Sequence, residues 1–298
     1  MGAAATGGLT LRVALRLGRV SNLPTVWTNV VAGMILAGTA SFGALPLLLA
    51  ALSLFYIAGM FLNDAFDAEF DRKFRPERPI PAGEVGTGTV LASGLAMLAL
   101  AGLLLVGGAL QAAVPGAARG AAVAGLLLAL AILFYDWRHK ANPLSPLVMG
   151  LCRVLAYLAS GLAAAGALPP TLLGGAAILL CYLIGLTYAA KQETLSRIAN
   201  LWPLAFLAAP FLYALPIAAA SIVGALLYLG FLAWVLYALS FLLLPRRLNV
   251  GRAVVALIAG ISLLDALLIA GAGASGIALL CLVGFAATLA LQRWVAGT

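Results

Sequence analysis

Apolar runs about 20 residues long follow one another along this chain, with only short polar breaks between them. A run of that length crosses the ~30 Å hydrocarbon core of a bilayer as a helix. Backbone in hydrocarbon must satisfy its own hydrogen bonds, so helices or a closed barrel are the only options, and runs this long are helices. Ten candidates stand at 24–42, 45–66, 87–110, 116–135, 144–165, 171–190, 201–219, 222–244, 253–272 and 276–292. The last is short and glycine-bounded, so the expectation is an all-α, polytopic transmembrane bundle of nine or ten spans. With 64% hydrophobic and 9% charged residues among 298, no stretch is left for a soluble insertion, and residues 1–298 read as a single integral-membrane domain. Alanine and glycine fill the runs, which suits close helix contacts. Cys152, Cys181 and Cys281 all fall inside apolar runs, as small core residues do.

The placement of charge orients the bundle. Arg12, Arg16 and Arg19 precede the first span. Arg72, Lys73, Arg75 and Arg78 follow the second, and Arg138 and Lys140 the fourth. Lys191 and Arg197 follow the sixth, Arg246, Arg247 and Arg252 the eighth, and Arg293 the tenth. All lie on one side, against Arg119 alone on the other. By the positive-inside rule the N-terminus and the charged mouth are cytoplasmic; a bacterial plasma membrane is the expected home. The net charge of +8 is therefore topogenic. The basic residues form no continuous face, which argues against nucleic acid, and no protein partner is inferable. The single histidine, His139, excludes a multi-histidine metal or haem site in this chain and reads as a solvated loop residue.

One stretch breaks the oily pattern: "NDAFDAEFDRKFRPERPIP", residues 63–81. Asp64, Asp67 and Asp71 are spaced by three and four, so on a helix they stack along one face, with Asn63 four residues before Asp67. Like charges at that spacing repel, and carboxylates at a membrane boundary are costly. Something positive must sit among them. Oxygen-only donors suit Mg²⁺, which takes one or two carboxylates and completes its shell with waters and phosphate oxygens. The basic residues just beyond suit an anion: Arg75 and Arg78 as forks, Lys73 as a point charge. The plain alternative is a solvated, charge-balanced loop.

"NDAFDAEFDRKFRPERPIPAG" resembles the first signature of the UbiA superfamily of intramembrane prenyltransferases, and "RVSNLPTVWTNVVAG" (residues 19–33) is similar to that family's first helix. "MGLCRVLAYLASG" (residues 149–161) resembles a subgroup whose substrates are less well defined. The resemblance implies Mg²⁺-dependent transfer of an isoprenoid chain from a prenyl diphosphate to an aromatic or other lipophilic acceptor. It implies that Asn63, Asp64, Asp67 and Asp71 hold the metal and that Arg72, Lys73, Arg75 and Arg78 include the diphosphate clamps. Asn22 and Asn29 would face the same cavity.

The chain departs from the family where a second acidic motif is expected, at the end of the sixth span. It reads "TYAAKQETLSRIAN" there, residues 187–200. The expectation is that Lys191 and Glu193 act as a unit in its place, Lys191 substituting for one metal's charge, with Tyr188 nearby. Four further polar residues lie within or at the ends of spans. Arg153, about 12 Å into the fifth span on a rise of 1.5 Å per residue, is the candidate cationic partner for the acidic stripe and a candidate contact for the diphosphate or the acceptor; Tyr157 shares its face and either lines an acceptor pocket or packs. Asp136 is expected to pair with Arg138 or Lys140, or else to line the cavity with Tyr135. Asp265 is expected to be paired internally. Asp64, Asp67, Lys191 and Arg153 are the candidate catalytic residues. Two other classes stay open: a non-catalytic relative that binds isoprenoid diphosphate, and a membrane transporter.

Overall fold

The structure, a computed structural model, describes residues 8–39, 41–140, 142–191, 202–295 and 297. The described residues contain helices and no strand. In order these are α1 (Leu11–Leu17), α2 (Leu23–Leu36), α3 (Leu45–Phe66), α4 (Ala68–Phe74), α5 (Thr87–Ala112), α6 (Ala117–Arg138), α7 (Ser145–Ala165), α8 (Pro170–Lys191), α9 (Ala209–Ala220), α10 (Ile222–Leu243), α11 (Val250–Gly271) and α12 (Ser275–Leu291), with three short 3-10 segments between them.

Proline in the first turn starts α2, α3, α7 and α9, where its missing N–H costs nothing. Ser221 and Asn249 cap α10 and α11 by accepting from backbone N–H groups at 2.9 Å. Gly166 ends α7 at φ 67°, and a Cβ there would stand 2.8 Å from the Pro115 carbonyl oxygen. Both the backbone angle and the close approach require glycine.

Among the described residues seven helices are long and apolar enough to cross a bilayer: α3, α5, α6, α7, residues Pro170–Ala190 of α8, α10 and α11. Three further apolar stretches, Val20–Leu36, Leu204–Ala220 and Ser275–Leu291, are shorter. The first two begin in 3-10 turns, and Pro216 lies inside α9. A 17-residue helix rises only about 26 Å. The chain is an integral membrane protein, and its outer faces suit lipid: Leu103, Leu226 and Val283 are 72, 65 and 66% exposed. Patches of that kind on a protein in water would aggregate.

Packing divides around one cavity. One apolar cluster joins α2, α3, α5, α6 and α7 through residues such as Val30, Leu48, Phe55, Leu105 and Leu128. A second joins α2 and α7 to α8, α10 and α11 through Leu36, Tyr157, Leu179, Phe231 and Leu264. The central helix is α11, with 83% of its apolar window buried against 28% in α5 and α10. α2 and α7 serve both clusters and meet at a glycine seam. A Cβ on Gly33 would stand 2.6 Å from the Tyr157 carbonyl oxygen and collide with Ser160, while one on Gly161 would stand 3.1 Å from the Gly33 carbonyl oxygen. Small residues let these two backbones touch.

Candidate active site

The site begins with helix α1. Val13 and Leu17 bury its apolar side against Phe61, Ala65, Ala68 and Ile80, and Arg16 bonds both oxygens of Glu84 at 2.6 and 2.8 Å. The chain then turns at Arg19, whose backbone takes φ 42°, ψ 48°. Non-glycine residues rarely adopt that left-handed conformation, and they do so where surrounding contacts fix it. Here the turn brings the guanidinium back over α3: one nitrogen lies 3.0 Å from Asp64 Oδ1 and the other 3.3 Å from Met60 Sδ.

The acidic stripe runs through the end of α3 into α4. Asp64, Asp67 and Asp71 are 6, 6 and 1% exposed, a burial that bare carboxylates could not sustain. Each has a cation. Arg78 bridges Asp64 Oδ1 at 3.1 Å and Asp71 Oδ2 at 3.0 Å. Lys140 Nζ stands 2.7 Å from Asp67 Oδ1, and His139 Nε2 stands 3.4 Å from Asp67 Oδ2. Burial pushes the Asp67 carboxyl up, but hydrogen bonds from His139 and Lys140 outweigh it and hold the pKa below the usual value of 3.8.

From this mouth a cavity of about 710 Å³ runs into the bundle, within the size range of small-molecule sites. Arg19, Asn22, Asn63, Asp67, Arg75 and Arg78 line its charged end. Leu52, Phe55, Leu128, Ile132, Leu183 and Ile261 line its apolar walls, and Arg153 and Tyr56 also face it. Behind Arg153 lies a buried polar network. Arg153 donates to Asn29 Oδ1 at 2.6 Å and to Thr25 Oγ1 at 3.0 Å. Asn29 donates to Asp265 Oδ2 at 2.8 Å, and the Tyr157 hydroxyl donates to Asp265 Oδ1.

Asp71 Oδ1 is buried without a hydrogen-bond partner, and the donors along the stripe are oxygens, as a hard cation prefers. No group of three or more His, Cys, Asp or Glu side chains among the described residues is poised to enclose a metal. That donor set fits Mg²⁺ held partly by waters and phosphate oxygens, and does not fit a closed structural site.

Residues 25–252 match the UbiA prenyltransferase family. The chain belongs to that family. It is 39% identical over 94 residues to a digeranylgeranylglyceryl phosphate synthase of Ignicoccus hospitalis, and 37% identical over 114 residues to the protein of that name from Methanoregula boonei. These segments cover 32 and 38% of this chain but only 31 and 37% of the relatives' own lengths. An apo structure of a UbiA homolog from Aeropyrum pernix K1 is 18% identical, with a TM-score of 0.47 over 92% of this chain and 98% of that one.

Within this UbiA-family chain, Asn22, Asn63, Asp67, Arg75, Arg78 and Arg153 share the cavity, and Asp64 and Asp71 join it through Arg78. Arg72 and Lys73 point to solvent from α4 and do not line the cavity. Asn29 and Tyr157 are buried behind it, in the Arg153 network. Tyr188 is half-buried on α8 and does not line it. Lys191 is the last residue of α8, and Glu193 lies outside the described residues.

Three further expectations change. The cations that meet the acidic stripe from distant parts of the chain are Arg19 and Lys140, not Arg153; the left-handed turn that aims Arg19 has no sequence signature. Asp136 does not pair with Arg138 or Lys140; it lines the cavity with Tyr135, the other expectation. It accepts from Asn63 Nδ2 at 3.2 Å, because α6 turns it inward while Lys140 reaches across to Asp67 and Arg138 stacks on Trp137. His139 is not a solvated loop residue. Its ring stacks on Tyr135 at 5.0 Å and faces Asp67.

Proposed function

We propose that the chain is a Mg²⁺-dependent intramembrane prenyltransferase. It moves an isoprenoid chain from a prenyl diphosphate to an aromatic or other lipophilic acceptor. One observation carries this reading: a single cavity joins a cation-rich mouth to apolar walls inside a membrane bundle. That shape suits an amphiphile with a strongly anionic head and a hydrocarbon tail.

On this reading Arg19, Arg75 and Arg78 receive the diphosphate, and Leu52, Phe55, Leu128 and Ile132 take up the chain. The allylic C–O bond breaks with its electron pair going to the diphosphate. The acceptor's nucleophilic atom then bonds to the allylic carbon and releases a proton. The guanidinium groups stabilise the charge that develops on the leaving oxygens. The apolar walls keep water from the cationic carbon. Asn63, Asp64, Asp67 and Asp71 would hold Mg²⁺, which supplies further positive charge to the diphosphate when bound. Lys191 and Glu193 stand in for the missing second acidic motif, so Lys191→Ala should weaken diphosphate binding. The charge asymmetry supports a cytoplasmic mouth in a plasma membrane. The curated relatives named above are archaeal, and a bacterial host draws no support from them. Their name denotes a product with geranylgeranyl chains and a phosphate, which makes C20 diphosphates the first donors to try.

The test is diphosphate release from purified protein given geranylgeranyl diphosphate and Mg²⁺, with and without extracts of membrane lipid as acceptor. Release that requires the metal, with a prenylated lipid seen by mass spectrometry, supports the reading. Tight binding without release would point instead to a non-catalytic relative, the alternative suggested by Lys191 in place of an acidic motif.

A further inference from the structure

One buried carboxylate outside the acidic stripe has no counter-charge. Asp136 stands near the end of α6, lines the cavity and is 5% exposed. Its Oδ1 accepts from Asn63 Nδ2 at 3.2 Å, and its Oδ2 is buried with no hydrogen-bond partner among the described residues. None of the ion pairs among those residues includes it. The neighbouring cations are committed elsewhere: Arg138 lies over the Trp137 ring, and His139 and Lys140 both face Asp67. A single neutral hydrogen bond does not offset the burial of a negative charge. Protonation does not resolve the matter, because an O–H at Oδ2 would be a buried donor without an acceptor. The protein alone satisfies neither form of the side chain, and buried polar atoms left in that condition are rare.

The surroundings select what completes it. A carboxylate only accepts, so Asp136 fixes which end of the Asn63 amide faces it and leaves the amide oxygen for another partner. Asp67, one turn further on at the end of α3, borders the same cavity. Oxygen donors from two helices therefore share one wall: the Asp136 carboxylate from α6, and the Asn63 amide and Asp67 carboxylate from α3. Such a set suits a hard divalent cation that keeps some waters and takes further oxygens from a phosphate group.

We propose that Asp136 is a ligand for a divalent cation in this cavity, reaching it from α6 through the oxygen that the protein leaves unpaired. This rests on the metal-dependent reading above and adds to it a residue 73 positions along the chain from Asn63. The bound cation supplies the counter-charge that Asp136 lacks. It is then held from two helices, so its place depends on how α6 packs beside α3 as well as on the stripe.

The test reads metal binding rather than turnover. Full-length protein in neutral detergent, at a fixed concentration of inorganic diphosphate, is titrated with Mg²⁺, and the apparent Mg²⁺ affinity is read from the rise in Tm. Complexes of the two ions in solution form equally with every variant, so differences belong to the protein. Asp136→Asn should weaken the apparent affinity at least about tenfold, the scale on which metal sites respond to the loss of a supporting group. Without Mg²⁺ its Tm should equal or exceed that of the wild type, because an unpaired buried charge has gone. The weakening should persist in an Asn63→Ala background, since Asp136 meets the cation directly. An unchanged Mg²⁺ dependence in Asp136→Asn overturns the proposal and leaves the metal-dependent reading standing. A lower Tm without Mg²⁺, or a failure to fold, also overturns it, by making Asp136 a structural acceptor for Asn63. A weakening that vanishes in the Asn63→Ala background overturns it too, because Asp136 would then only orient Asn63. If the wild type itself shows no rise with Mg²⁺, the metal-dependent reading fails and this proposal falls with it.

Discussion

Gly33→Ala tests whether the α2–α7 seam is what holds the polar network together. The added methyl would sit 2.6 Å from the Tyr157 carbonyl oxygen, about 0.8 Å short of the 3.4 Å at which ordinary contact begins, and it would also strike Ser160. The Tyr157 oxygen is backbone, so relief requires the two helices to part. Overpacking of this kind costs roughly 1–3 kcal/mol. Alanine recovers about 0.5–1 kcal/mol over glycine within a helix. The net expectation is a loss of about 1–2 kcal/mol, seen as a fall of a few degrees in the apparent Tm in detergent. Asn29 lies one turn before Gly33 on the same helix face, so parting the helices also stretches its 2.6 Å bond to Arg153. Gly102, within α5, is the control. A Cβ there meets nothing within 4 Å, and Gly102→Ala should raise the Tm slightly. If Gly33→Ala raises the Tm as much as Gly102→Ala does, the seam is not tight and the argument from close approach fails.

Other perturbations bear on the mouth and the network. Asp67→Asn should cut prenyl transfer at least about a hundredfold, by removing a carboxylate that would hold Mg²⁺ against the diphosphate, while circular dichroism shows an unchanged helix content. Asp64→Asn should cost both turnover and stability, because Arg19 and Arg78 both rest on the lost charge; an unchanged Tm would mean that these pairs contribute nothing. Tyr157→Phe removes the hydroxyl bonded to Asp265 and should lower stability by about 1–3 kcal/mol, without altering the shift produced by Mg²⁺ and diphosphate. The Asp67 carboxyl is held below 3.8, so it contributes stability that is present above that value and lost as pH falls through the lower, folded value. Lys140→Ala removes one cause of that depression and should flatten the loss of Tm between about pH 5 and pH 3; an unaltered profile would show that Lys140 does not hold Asp67.

Much of the site was legible in the chain because the stripe is local. Asn63, Asp64, Asp67 and Asp71 follow helical spacing, and one helix end with its short continuation is enough to stack them. The bundle was legible for the same reason, though only in part: among the described residues seven helices, not nine or ten, are long enough to cross a bilayer, and the run before α10 divides into a 3-10 segment and α9. Long-range contacts were not. Arg19 reaches Asp64 only because α1 docks on α3 and the backbone then turns through a left-handed residue. Lys140 and Asp136 come from the same end of α6 yet serve different partners, a choice made by side-chain direction rather than by charge pattern. The separation of Arg153 from Asp265 by Asn29 depends on α2, α7 and α11 meeting at one depth. Seam glycines such as Gly33 and Gly161 permit that meeting, and they are indistinguishable in sequence from the many glycines that meet nothing.

The mouth's own pairs imply a coupling between metal and anion. Arg78 rests on Asp64 and Asp71, so the arginine best placed to take a diphosphate is already engaged. If it turned to an anion unaided, Asp71 would be left without a cation and Asp64 with Arg19 alone, and an unpaired buried charge is strongly destabilising. A divalent cation on those carboxylates removes that obstacle and frees the guanidinium. Conversely, a cation arriving alone would crowd Arg78, Arg19 and Lys140 with like charge. Each ligand therefore relieves the penalty that the other would meet, and their free energies of binding should be coupled. Thermal shifts with Mg²⁺ and diphosphate together should exceed the sum of the separate shifts. Replacing Arg78 by Gln should reduce that excess more than it reduces the response to Mg²⁺ alone. Simple additivity in the wild type would mean that Arg78 keeps its carboxylates throughout, and that the diphosphate is held by Arg19 and Arg75 without it.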